Sequence, residues 1–218
     1  MEETKKLSCI DCNVKKCNVK QNIENHKPYP GFCVSHNMDL KDRQMALDTY
    51  LGDEKDLKIM RASAEIEHDF YCQATRVEET IRWAKKLGAK KIGIASCVGL
   101  LKESHLLAGL LREYGFEVYG VGCKIGEVPK TEVGIPERCE EVGVHMCNPI
   151  LQAQMLNKEK TDINIVMGLC VGHDSMFYKY AEGLTTTLVV KDRVLGHNPV
   201  AALYAADGYY HNKLCPQD

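Results

Sequence analysis

The sequence lacks several things that would assign it quickly. No apolar run approaches the roughly 20 residues that a membrane-spanning helix needs. Formal net charge is only −2, from 28 basic and 30 acidic residues, so no broad basic field directs the chain to nucleic acid or a membrane surface. The opening "MEETKKLSCIDC" has no apolar signal-peptide core, and a cytoplasmic protein is expected. "ASCVGLLKES", after the first expected strand, carries no Gly-x-Gly-x-x-Gly fingerprint, so dinucleotide binding of the usual kind has little support. No Walker loop, internal repeat or low-complexity tract is present.

What is there in excess is cysteine, with 11 residues among 218. In a small secreted protein that count would suggest disulfides. In a leaderless chain of this length the thiols stay reduced, and metal or redox chemistry is the better reading. The count is odd, so complete pairing is impossible. With 44% hydrophobic residues the chain can build a real core.

The first forty residues stand apart. They are polar, hold Cys9, Cys12, Cys17 and Cys33, and show no strong period. Residues 1–40 are therefore expected to form a cysteine-rich metal-binding module, and 41–218 an α/β domain. A helical pattern runs from Leu40 to about Phe70, broken near Gly52. "TRVE" at Thr75–Glu78 is a capping box, and its helix ends at Gly88, a usual residue in that position. Strand and helix then alternate. "KKIGIAS", "FEVYGVG", "INIVMGL" and "TTTLVVK" read as strands. "GLLKESHLLAGLLREYG", "NPILQAQMLN", "DSMFYKYAEG" and "NPVAALYAA" read as helices, with Asn148, Asp174 and Asn198 as caps. Residues 124–141 are loop-like, and "VGVHM" suggests a short strand. The expected fold is α/β, an open and mostly parallel sheet with flanking helices, Rossmann-like in class.

On that plan Cys97 follows the first strand, Cys123 ends the second, Cys147 precedes a helix cap and Cys170 ends the next strand. Ligands bind at the carboxyl edge of an open parallel sheet. Four sequence-distant thiols therefore converge on one cleft, where helix N-termini favour thiolates. A lone buried cysteine is more often small apolar filler; four at successive strand ends suggest a shared site. Cys72, Cys139 and Cys215 have no such placement. In the N-terminal segment, two, four and fifteen residues separate Cys9, Cys12, Cys17 and Cys33. That spacing suits a four-thiolate zinc site or an iron–sulfur cluster, with His26 and His36 as alternative ligands. Spacing does not choose between zinc and iron.

Other groups belong to the same edge. Cys170, His173 and Asp174 allow a nucleophile, base and orienting acid, although Asp174 also reads as a plain helix cap. Lys191, Asp192, Arg193 and His197 follow the last strand and are candidates for holding an anionic substrate. Tyr71, Arg76 and Glu79 are weaker candidates, with surface or capping roles.

"SCVGL", "GCKIG", "CNPILQAQMLN", "TDINIVMGLCVGHDSMF" and "TTTLVVKDRVLGHNPVAALY" resemble a group of cysteine-rich bacterial and archaeal proteins, domain of unknown function eighteen-forty-seven, often labelled metal-binding. The resemblance runs from Cys9 to about Tyr204. It implies metal binding through the N-terminal cysteines and no settled reaction. Cys9, Cys12, Cys17, Cys33, Cys97, Cys123, Cys147 and Cys170 fall on its motif positions.

The expectation is a metal-binding protein with an iron–sulfur centre, 4Fe-4S in type, on Cys97, Cys123, Cys147 and Cys170. In it Cys170, His173 and His197 are the reacting groups, and a small molecule or an electron-transfer partner meets the centre. A non-catalytic zinc protein and a Cys170-based hydrolase or transferase are the rivals.

Overall fold

The computed structural model describes residues 6–18 and 28–215. His26 lies outside the described residues. The chain divides into two compact units, Met1–Arg61 and Ala62–Asp218.

The first unit holds the N-terminal cysteines, a short helix α1 (Val34–Asn37), α2 (Leu40–Gly52) and the start of α3 (Glu54–Asp69). The Asp39 carboxylate accepts the Lys41 N–H at 2.9 Å and so starts α2. Asp53 repeats the device on Lys55 and Asp56. A second cap directly after Gly52 is why one long helical pattern becomes two helices.

The second unit is a four-stranded sheet, all parallel, with helices on both faces. Its elements are α4 (Arg76–Leu87), β1 (Lys91–Ser96), α5 (Leu101–Glu113), β2 (Glu117–Gly122), α6 (Pro149–Lys158), β3 (Ile163–Met167), α7 (His173–Tyr180), β4 (Leu184–Val189), α8 (Val200–Tyr204) and α9 (His211–Leu214). Strand order is β2-β1-β3-β4. The chain therefore steps one way from β1 to β2 and the other way to β3, and the carboxyl ends of β1 and β3 flank the point of reversal.

Side-chain alternation in β1 and β3 builds two apolar layers. Ile92, Ile94, Ile163, Ile165 and Met167 pack with Ile81 and Ala84 of α4 and Leu107, Ala108 and Leu111 of α5. Ala95, Cys97, Val121, Cys123 and Val166 pack with Ala153 and Leu156 of α6 and Phe177 of α7. Burial on both faces is why these strands read as continuous apolar runs. The α4 capping box forms as the sequence implies, and Gly88 closes the helix with φ of 79°.

Several local expectations are corrected. Asp174 is not the cap of α7. Gly172 is, with φ of 84°, because two glycines let the chain turn sharply after β3, and Asp174 accepts the neighbouring Ser175 N–H instead. Pro199, not Asn198, precedes α8. The 124–141 loop contains two 3-10 turns, Lys130–Val133 and Glu137–Val142. The "VGVHM" strand reduces to one antiparallel bridge between Pro129 and His145. Among the described residues no helix is long and apolar enough to cross a membrane.

Gly93 is where the layers press closest. A Cβ there would stand 2.5 Å from Asn164 Oδ1 and 2.9 Å from Leu156 Cδ1. Asn164 and Leu156 are fully buried, so neither can give way cheaply. Gly93→Ala is expected to cost about 1–3 kcal/mol in denaturant unfolding. Gly109→Ala in α5, with nothing within 4 Å of its added carbon, should instead stabilise by up to about 1 kcal/mol. Equal midpoints for the two variants would refute this packing.

Candidate functional site

Strand register sets the site. Ser96 pairs with Gly122 in β2 and with Met167 in β3, so Cys97 and Cys123 leave neighbouring strands at one level. Backbone bonds hold these exits. The Cys97 N–H donates to Met167 O at 3.0 Å, and the Gly168 N–H to Val189 O at 2.8 Å. The Asn148 N–H donates to Cys123 O at 2.8 Å, which brings the start of α6, and Cys147 with it, against the end of β2. Asn148 also caps α6 through its side chain, and Pro149 occupies the first turn.

Below this, Gln152 of α6 is fully buried. Its Nε2 donates to Ser96 O at 3.1 Å and to Val121 O at 2.7 Å, so one amide clamps the ends of β1 and β2. The sequence reading missed Gln152. The signal was present, since Pro149, Gln152, Ala153 and Leu156 follow helical spacing and all are buried.

Three sulfurs meet as a result. Cys123 and Cys147 Sγ are 3.8 Å apart, and Cys97 lies close enough to Cys123 to act on its charge. The Val98 N–H donates to Cys123 Sγ at 3.4 Å. Cys97 and Cys123 are buried and Cys147 is half-buried. His173, at the start of α7, lies close enough to Cys147 for the two to act on each other's charge, and its Nδ1 is buried without a hydrogen-bond partner.

The electrostatics follow from this contact. The bond from Cys123 lowers the Cys97 thiol to about 5, against burial and with help from the Gly99 amide and Lys191. Cys123 and then His173 lower Cys147 to about 4, and Lys124 adds to the effect. Cys123 itself is pushed up, first by Cys147, then by Cys97 and by burial. His173 is raised by its bond to Cys147. Contact among the sulfurs thus favours the proton on Cys123 over Cys97 and Cys147, and Cys147 favours the protonated form of His173.

Cys170 is placed differently. It lies three residues beyond the end of β3, in the turn that starts α7, and the Arg193 guanidinium donates to its sulfur at 3.1 Å. His173 follows it in sequence but engages Cys147. His197 is folded back on its own loop, where its Nδ1 accepts the Asp192 N–H at 3.2 Å. The Asp192 carboxylate is spent on the N–H groups of Val194 and Leu195. Lys191 reaches Cys97, so Lys191 and Arg193 together form a positive rim beside the sulfurs. Tyr71 is exposed. Arg76 donates to Thr186 Oγ1 and Thr187 O, tying α4 to β4, and with Glu79 and Trp83 lines a cavity of about 350 Å³.

In the first unit, Cys9, Cys12, Cys17 and Cys33 all line one small cavity of about 150 Å³, together with Lys15, Lys16 and Tyr29. The Cys12 N–H donates to Cys9 O at 3.2 Å, which closes the Cys-x-x-Cys turn. His36 stacks on Tyr29 with ring centroids 4.8 Å apart. Among the described residues no three His, Cys, Asp or Glu side chains, as they stand, surround a position for a metal ion.

Residues 33–188 match the family model described as protein of unknown function (DUF1847). The chain belongs to this family. It is also 40% identical over 208 residues to "Uncharacterized protein MJ0455" of Methanocaldococcus jannaschii, covering 95% of this chain and 98% of that protein. The family match contains Cys97, Cys123, Cys147, Cys170 and His173, and begins at Cys33; Lys191, Arg193 and His197 lie beyond it.

Gln152→Leu keeps the bulk of the clamp and removes both bonds. It is expected to cost about 1–3 kcal/mol in unfolding free energy and to speed alkylation of buried Cys123 in the folded protein. Unchanged stability together with unchanged Cys123 protection would show that the amide does not hold the strand ends.

Proposed function

We propose that the protein is a metal–thiolate protein whose principal centre lies at the sheet edge, in a doubly wound, Rossmann-like domain. The observation that carries this is the orphaned Nδ1 of His173 beside three converging sulfurs. A buried imidazole nitrogen without a partner needs a reason, and a metal ligand is a good one. Cys97, Cys123, Cys147 and His173 make a Cys₃His donor set, which suits tetrahedral zinc. The 3.8 Å between Cys123 and Cys147 matches the edge of a tetrahedron with bonds of about 2.3 Å. Cys97 and His173, which act electrostatically on Cys123 and Cys147, would supply the other two ligands. Bound there, the metal supplies a Lewis acid or, as iron–sulfur, an electron store. Lys191 and Arg193 then hold the negative charge of a small substrate or of an electron-transfer partner.

An iron–sulfur centre, 4Fe-4S in type, is the second reading. Its support is Cys170, a fourth sulfur near the same edge whose partner Arg193 also acts electrostatically on Cys97 and Cys147. Cys170 as a hydrolytic nucleophile is weaker, because the imidazole it would use is engaged by Cys147. The N-terminal module is read as a second, structural metal site on Cys9, Cys12, Cys17 and Cys33. A reducing cytoplasm is the compartment that keeps thiols of this kind available to a metal.

Metal analysis of anaerobically purified protein tests this. The expected result is stoichiometric metal, reduced by one site in Cys123→Ser/Cys147→Ser and separately in Cys9→Ser/Cys12→Ser. Colourless protein whose metal content is unaffected by Cys170→Ser supports zinc on Cys₃His. Brown protein absorbing broadly near about 400 nm, bleached by Cys170→Ser, supports the cluster. Wild-type protein with only trace metal refutes the proposal.

A further inference from the structure

The geometry points to a thiol–disulfide exchange activity at the same edge, with Cys147 as the attacking sulfur, Cys123 as the resolving sulfur and a low-molecular-weight disulfide as the substrate. It uses the sulfurs described above but does not depend on a metal being bound to them. Cys123 and Cys147 are 24 residues apart in the chain, yet their sulfurs are 3.8 Å apart. The Asn148 N–H to Cys123 O bond at 2.8 Å ties the residue after Cys147 to Cys123 and keeps the two backbones adjacent, and a disulfide needs the sulfurs to close to about 2.05 Å.

Exposure assigns the roles. Of the three touching sulfurs, Cys97 and Cys123 are 8% and 3% exposed, while Cys147 is half-buried and reachable. An incoming disulfide therefore meets Cys147 first. Cys170 is also reachable, but its partner is the Arg193 guanidinium and not a second thiol.

The exchange balances without an added oxidant. The Cys147 thiolate attacks one sulfur of the substrate, a mixed disulfide forms, and the other half leaves as a thiolate. The Cys123 thiol passes its proton to that departing thiolate and attacks Cys147 Sγ. The second half then leaves as a thiolate. The protein dithiol is oxidised by two electrons, and the substrate disulfide is reduced to two thiol groups.

The test uses the full chain, prepared anaerobically and treated with chelator, and 2-hydroxyethyl disulfide as the probe. Mass spectrometry should show loss of two hydrogens with no retained adduct. Peptide mapping should find the Cys123–Cys147 link before any other. Cys123→Ser should hold one half of the reagent on Cys147, and Cys147→Ser should slow the first thiol loss at least about tenfold. Persistent adducts on wild-type Cys147, or a first link that joins any other pair, including Cys97–Cys123, overturn the assignment. Because wild-type mapping alone decides between these outcomes, a poorly folding variant does not rescue the idea. Metal content is read separately on the untreated protein, so failure of exchange and failure of metal binding are distinguishable.

Discussion

One buried amide sets the geometry on which the site depends. Gln152 has no water to compete for its donors, and both go to carbonyls at strand ends, Ser96 O and Val121 O. Parallel strands splay at their ends because sheets twist. A clamp spanning two strands opposes that splay immediately before Cys97 and Cys123 depart. The same helix begins one turn earlier at Asn148, whose N–H is tied to Cys123 O. Thus the six residues from Cys147 to Gln152 fix two strand ends and deliver the third sulfur. The arrangement has a cost: Gln152 Oε1 is buried without a partner. A Leu at this position would avoid that cost and lose the clamp, which is a reason for an amide to stand among apolar neighbours.

With the sulfurs in contact, their charge state is no longer a property of each alone. Two adjacent thiolates without a proton between them would repel strongly in a site this buried. A proton held on Cys123, between the other two, relieves that repulsion, in line with a raised Cys123 and lowered Cys97 and Cys147. Cations then contribute from two different loops, with Lys124 after β2 and Lys191 after β4. A soft, electron-rich centre ringed by positive groups is chemically suited both to a thiophilic metal and to attack on a disulfide sulfur.

Much of this was legible in the chain. Strand–helix alternation placed Cys97, Cys123 and Cys147 at strand ends and a helix start because period and capping chemistry are local signals. The strand register that levels Ser96, Gly122 and Met167 is non-local, yet it follows once all strands run parallel. What sequence could not supply were the partner choices. Cys170 and His173, three residues apart, read as a dyad, but the turn after β3 sends the imidazole to Cys147 and leaves the sulfur to Arg193. Asp174 looked like a cap because it precedes an apolar helical run; positive φ at Gly172 moved the helix start forward instead. His197 looked available, and a five-residue loop closure consumed one of its nitrogens.

The two cysteine sets differ in what holds them in place. Both apolar clusters among the described residues belong to the second unit, so the sheet-edge sulfurs are positioned by a core that exists whatever they bind. The N-terminal set has little of that kind. Cys33 is the one buried hydrophobic residue of the first unit's described part, and short loop bonds such as Ser8 N–H to Phe32 O and Cys33 N–H to Pro30 O hold its segments. Were a metal bound there, as proposed, the free energy of binding and the free energy of folding would be nearly one quantity. At the sheet edge the two are separate, because Gln152, Asn148 and the strand register have already ordered the donors. A preorganised set of thiols can release what it holds without unfolding, and that is the property a reacting centre needs, whereas a set ordered mainly by its ligand is suited to structure.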